Sequence, residues 1–243
     1  MILTTPGLVL HTTNYSESSV IVKIFTRQLG VRSYILKGVR GAKSRTKQNL
    51  LQPLSHVDLS VYDSPRSTIN YVKDIHPARQ YPNTAADSAR ITLIFFMNEL
   101  LYKVLRESDP QPEVFDYVVE ELVAIDSGRV RLSHQPLLFM LRMSRLLGIE
   151  PMNNYSLKEP LFDFSEGRFV QEPGMLDNMQ GHMLLTTQES LQLHYLMVAF
   201  GQGSEVPRVD GHGLLMALLG YFGHHISECR DFKSVEVLHG LLG

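Results

Sequence analysis

The 243-residue chain has one cysteine, Cys229, so it can build neither an internal disulfide nor a zinc site of four cysteines. No apolar run reaches the roughly 18–20 residues that cross a bilayer. The opening MILTTPGLVLHTTNYSE lacks the basic stretch and long apolar run of a secretory signal. A cytoplasmic setting with no membrane partner is therefore expected. Glycine and proline, at 17 and 12, are too few for a collagen-like or low-complexity chain. Apolar residues make up 44% and charged residues 20%, which excludes wholesale disorder and supplies a core for one large or two small domains.

Acid is missing over one long stretch. Between Glu17 and Asp58 there is no Asp or Glu, while Lys23, Arg27, Arg32, Lys37, Arg40, Lys43, Arg45 and Lys47 all fall there. Residues 1–80 carry 11 Lys and Arg against 4 acids, and residues 81–243 carry 12 against 21. An asymmetry of this kind predicts two domains with different partners. A field of one sign attracts polyanions. The alternative is a solvated strand face whose acids come from elsewhere in the fold.

Residues 2–76 read as strands. Runs of β-branched and aromatic residues fall at 8–10, 20–25, 31–36, 57–62 and 69–75, separated by turn formers. In the fourth run Val57, Leu59 and Val61 alternate with His56, Asp58, Ser60 and Tyr62, whereas runs two and three do not alternate cleanly. Five short strands suit a small closed barrel, either an OB-fold or an SH3-like barrel. The prolines of His76-Pro77 and Tyr81-Pro82 mark a boundary. Helical periodicity follows, with helices expected at about 91–105, 114–126, 134–147, 187–200 and 214–226 and a short one around Val235 to Leu241. Thr186 and Glu189 form a capping box for the fourth. Between the third and fourth, Leu161 to Val170 reads as a hairpin turning at Glu166-Gly167, which would set Phe164 opposite Phe169 with Phe162 on the same face. The expected class is α+β: a barrel over residues 1–78, then a helical bundle over 79–243 with a hairpin insert at about 150–175.

Catalytic signatures are lacking. Gly38 to Ser44 fails the spacing of a phosphate loop, and neither G-x-S-x-G nor H-E-x-x-H occurs. No enzyme activity and no cofactor are expected. His224, His225, Glu228 and Cys229 form half a metal site at most, with a polar helix end as the plainer reading. The basic barrel is what remains. The Gly38–Asn49 loop would bring cations to phosphates, and Tyr34, Tyr62 and Tyr71 are candidates either for base stacking or for the barrel core.

The sequence resembles the RecO family of bacterial DNA repair proteins. The resemblance rests on Gly7-Leu8-Val9-Leu10, Tyr15-Ser16-Glu17-Ser18, Phe25-Thr26, Gly30, Lys37-Gly38-x-Arg40 and Gln52-Pro53. It continues through Asn98-Glu99-Leu100-Leu101, Pro112-x-Val114-Phe115, Leu141-Arg142 and Leu147-Gly148, and beyond about residue 175 it is architectural only. It implies an OB-fold that binds single- and double-stranded DNA, with Arg27, Arg32, Lys37, Arg40, Lys43, Arg45 and Lys47 as candidate contacts. Further implications are strand annealing, a partnership with RecR, docking of the acidic C-terminal tail of single-strand-binding protein, and loading of RecA. Arg142 and Arg145 are candidates for the tail site, or for ion pairs with Glu99 or Glu121. Many members carry four zinc-binding cysteines in the segment matching 150–175. This chain has none there, so no metal is expected, and Phe162, Phe164 and Phe169 are expected to hold the insert together. An RNA-binding or ribosome-associated scaffold is the alternative reading.

Overall fold

The computed structural model describes residues 2–39, 45–62, 69–105, 110–172 and 183–242. The chain forms two compact units, residues 1–130 and 131–243.

The first unit contains β1 (Ile2–Asn14), β2 (Val20–Thr26), β3 (Gly30–Leu36), a short α1 (Arg45–Asn49), β4 (His56–Tyr62) and β5 (Ile69–Arg79). Three helices follow: α2 (Pro82–Ala85), α3 (Ser88–Val104) and α4 (Pro112–Asp126). The strands close into a barrel in the order β1-β2-β3-β5-β4, with β4 returning to β1. Strands β3 and β5 run parallel over three residues, and the other pairings are antiparallel. This closed five-stranded order is the OB-fold, which separates it from the SH3-like alternative.

Side-chain alternation fills the barrel. Val57, Leu59 and Val61 of β4 point inward, as their period of two requires, and meet Val9, Val22, Ile24 and Tyr34. Strand β2 breaks alternation at Phe25, which is buried without belonging to the barrel core. Phe115 of α4 covers it edge-on at 5.5 Å between ring centroids. Gly7 sits where the wall is tightest: a Cβ there would lie 2.7 Å from Ile24 Cγ2 and 3.0 Å from Leu59 Cδ1. The expected boundary at Pro77 lies inside β5. Pairing with β3 ends at Tyr71, so beyond it one side of β5 is an edge, where a proline removes no ladder bond. Asp87 caps α3 by accepting from the Ala89 and Arg90 amides, and Asn98 Nδ2 donates to the Leu10 carbonyl at 3.0 Å, tying this helix to β1.

The second unit holds α5 (Gln135–Leu146), the hairpin β6 (Leu161–Asp163) and β7 (Arg168–Val170), α6 (Thr187–Gln202), α7 (Gly211–His225) and α8 (Val235–Leu242). The capping box is formed: Thr186 Oγ1 accepts from the Glu189 amide at 3.3 Å, and Glu189 Oε2 accepts from the Thr186 amide at 3.0 Å. The hairpin register differs from the expected one. Phe162, not Phe164, lies opposite Phe169, and the turn has four residues, 164–167. The cause is Asp163, whose carboxylate accepts from the Ser165 amide at 2.8 Å while its carbonyl accepts from the Gly167 amide at 2.8 Å. Gly167 adopts φ +66°, where a side chain would be strained. The three phenylalanines still pack together, now centred on Phe162, with centroid distances of 5.1 Å to Phe169 and 6.0 Å to Phe164.

Helix α7 ends at His225, Ile226 is extended, and Ser227–Cys229 is a separate 3-10 turn. His225 and Cys229 therefore do not share a helix face. Among the described residues no three His, Cys, Asp or Glu side chains are grouped so that they could hold a metal ion.

Candidate nucleic-acid interface

The acid-free stretch winds around the barrel through β2, β3 and α1. Its cations are not equivalent. Arg27, in the β2–β3 turn, donates through Nε and Nη2 to the two carboxylate oxygens of Asp116 on α4, at 2.7 and 2.8 Å. This hydrogen-bonded pair raises the Arg27 pKa and lowers that of Asp116. For Arg27, then, the compensating acid does come from elsewhere in the fold. Arg32 is partly buried and gives Nη1 to the Val31 carbonyl at 3.1 Å. Lys23 Nζ lies 5.1 Å from the centroid of the Tyr102 ring of α3, beside His11, its cross-strand neighbour.

Lys37 and Lys47 are exposed, and neither has a carboxylate within salt-bridge distance among the described residues. Lys37 follows β3 directly and places its ammonium 5.0 Å from the centroid of the Tyr71 ring. Two bonds fix the chain around it: the Val39 amide donates to the Ser18 carbonyl at 2.9 Å, and Gln48 Nε2 of α1 donates to the Val39 carbonyl at 2.9 Å. Lys47 contributes to holding the Asp74 carboxyl below its ordinary range, behind the hydrogen bond from His76 and the Ile75 amide. Arg45 opens α1, and its side chain lies outside the described part of the structure, as do Arg40 and Lys43 entirely.

The three tyrosines divide cleanly. Tyr34 is fully buried in the barrel and cannot meet a ligand. Tyr62 and Tyr71 stand directly opposite each other on β4 and β5, 49% and 45% exposed. Lys73 is the extra residue of the bulge beside them, and it too is exposed. The outer surface at β4–β5 thus combines aromatic faces with cations. Such a surface can neutralise phosphates without regard to sequence.

In the second unit, Arg145 donates from Nε and Nη2 to Glu150 at 2.6–2.9 Å, and its guanidinium lies 4.9 Å from the Phe200 ring. Its partner is therefore Glu150 rather than Glu99 or Glu121. Arg145 borders a groove of about 560 Å³ lined by Leu141, Met152, Met197 and Phe200. Arg142 is exposed. Neither Asp116 as the partner of Arg27 nor Tyr102 as the partner of Lys23 carries a signal in the sequence, because each comes from a helix far along the chain.

Comparison with known proteins matches residues 1–81 to the family described as recombination protein O, N terminal, and residues 85–157 to recombination protein O, C terminal. The DNA repair protein RecO of Phocaeicola vulgatus is 28% identical over 99% of each chain. Those of Bacteroides fragilis and Christiangramia forsetii are each 24% identical, over 99% and 100% of both chains. The similarity to these relatives runs through the segment beyond residue 175, where the sequence motifs offered architecture alone.

Proposed function

Because this chain belongs to the RecO family of DNA repair proteins, we propose that it is a non-enzymatic recombination mediator. In this reading it binds single- and double-stranded DNA, anneals complementary strands, and works with RecR to load RecA onto strands coated by single-strand-binding protein. The observation that carries the DNA-binding part is the outer barrel surface, where Lys37 lies over the ring of the exposed Tyr71, which stands opposite Tyr62, and where the exposed Lys37 and Lys47 both come from the stretch free of acid. DNA binding is assigned to residues 1–78, with Arg32, Lys37, Arg40, Lys43, Arg45 and Lys47 as phosphate contacts. Arg27 makes a weaker contribution because Asp116 already answers its charge. The helical residues 79–243 are assigned to protein partners. The groove beside Arg145 is the proposed site for the acidic tail of single-strand-binding protein, since such a tail needs an apolar slot next to a cation, and its carboxylate would take the place of Glu150, which lines the same groove and holds Arg145 in the free protein. The insert at about 150–175 is held by its phenylalanine cluster, without metal.

The deciding experiment is a DNA-binding titration at several salt concentrations, joined to annealing of complementary oligonucleotides. Salt-dependent binding with accelerated annealing supports a mediator. Tight binding to RNA without annealing of DNA would favour an RNA-binding scaffold instead.

A further inference from the structure

Three exposed apolar side chains lie in one row across neighbouring strands: Ile2 of β1 opposite Tyr62 of β4, and Tyr62 opposite Tyr71 of β5. Each is close to half exposed. The barrel core lies behind them, where Val61 and Val72 point inward, so the row contributes nothing to that core. Adjacent strands stand roughly 4.8 Å apart, so two tyrosines on paired strands present neighbouring rings at a spacing that two consecutive unpaired bases can span.

The surroundings narrow the choice of occupant. A protein strand could add here only along a free edge, but β4 is paired on both sides and β5 is paired with β3 and β4 at this level. Among the described residues two cations flank the rings, Lys37 over the Tyr71 ring and Lys73 in the adjoining bulge, while the neighbouring carboxylate, Asp74, is already engaged by His76 and the Ile75 amide. An anionic ligand with flat faces suits both features. In a duplex the base faces are hidden within the stack and only phosphates can be met. In a single strand both are available.

We propose that Tyr62 and Tyr71 form a stacking platform for unpaired bases, and that Lys37 serves the phosphate beside the base on Tyr71. The platform is a binding site for single strands as a class, with no sequence preference, because every base has a π-face. It rests on the DNA-binding reading above and adds to it the feature that distinguishes a single strand from any other polyanion. On binding, the Lys37 ammonium exchanges the ring of Tyr71 for a phosphate oxygen, and the ring face it leaves accepts the base.

The test compares a short oligothymidine with an abasic strand of equal length and charge, using the full chain. Stacking contributes about 1–3 kcal/mol per base, so the Tyr62→Leu, Tyr71→Leu double variant should bind oligothymidine at least tenfold more weakly. Its affinity for the abasic strand and its salt slope should match the wild type. Tyr62→Phe with Tyr71→Phe keeps the rings and should restore binding, which controls for folding. Lys37→Gln should weaken both ligands and reduce the log–log salt slope by about 0.7. The chain has no tryptophan, so quenching of tyrosine emission by oligothymidine but not by the abasic strand gives a direct optical readout. Equal weakening on both ligands, or unchanged affinity for oligothymidine, overturns the platform while leaving the DNA-binding reading intact. If the wild type binds neither strand, both readings fall.

Discussion

Replacing Phe162 by alanine tests the hairpin register, because the register decides which phenylalanine holds the second unit together. Phe162 is 1% exposed and touches three rings: Phe169 at 5.1 Å, Phe164 at 6.0 Å and Tyr221 at 5.9 Å between centroids. Its amide also donates to Ser190 Oγ of α6 at 2.9 Å, which fixes the ring against the helices. Phe164 is 9% exposed and its ring packs on Phe162. Truncating a buried phenylalanine costs about 3–5 kcal/mol. Each aromatic pair adds about 0.5–1.5 kcal/mol beyond the buried area. Phe162→Ala should therefore fall near the top of that range, at about 5 kcal/mol, and Phe164→Ala near the bottom, at about 3 kcal/mol. At about 4 °C per kcal/mol for a unit of this size, the respective drops in Tm are about 20 °C and 12 °C. Urea and thermal melts followed by far-UV circular dichroism measure both, with the two units fitted separately if two transitions are seen. The same melts in excess chelator should be unchanged on the proposal that the rings hold the insert without a metal. A cost for Phe164→Ala equal to or greater than that for Phe162→Ala would refute the register and the ring packing that follows from it.

Reversing Arg40 and Lys43 to glutamate should weaken binding to every DNA sequence and flatten the salt slope on single strands, by about 0.7 for each phosphate no longer neutralised. Unchanged affinity and slope would make that loop a solvated surface. Asp116→Asn should act in the opposite sense, since it releases Arg27 and removes a negative charge: affinity should rise and the slope steepen in the same titration. Burial lowers the His56 pKa below 6.5, and nearby Asp58 only partly opposes this. The unfolded chain thus takes up the proton first, so stability is full above pH 6.5 and falls as pH drops from there toward the folded pKa. Melts between pH 7.5 and 5 should show that decline, reduced in His56→Gln. Fluorescence anisotropy with an acidic tail peptide should show weaker binding to the Arg142→Glu, Arg145→Glu double variant, and equal affinity would remove both residues from the site.

Much of the fold could be read from the sequence because it follows from short-range periodicity. The period of two in β4 put Val57, Leu59 and Val61 inside and Tyr62 outside, and each strand run became a strand. Thr186 and Glu189 announced the start of α6, since a capping box is formed by residues three apart on one chain. The acid-free stretch and its cations are likewise properties of the sequence alone. Tertiary structure decided what depends on residues distant along the chain. The parallel pairing of β3 with β5 distinguishes this barrel from its competitor, and no local pattern encodes it. Tyr34 and Tyr71 looked alike in sequence, yet closure of the barrel buried one and exposed the other. Arg27 reads in sequence like its neighbouring cations, and only α4, nearly ninety positions later, supplies the Asp116 that pairs with it. In the hairpin the expected turn at Glu166-Gly167 was close. It was displaced because Asp163 bonds both Ser165 and Gly167 and so lengthens the turn to four residues. Local pattern fixes which elements form and which face is apolar. Which partner meets each face, and so which cations remain for a ligand, is settled only when the chain closes on itself.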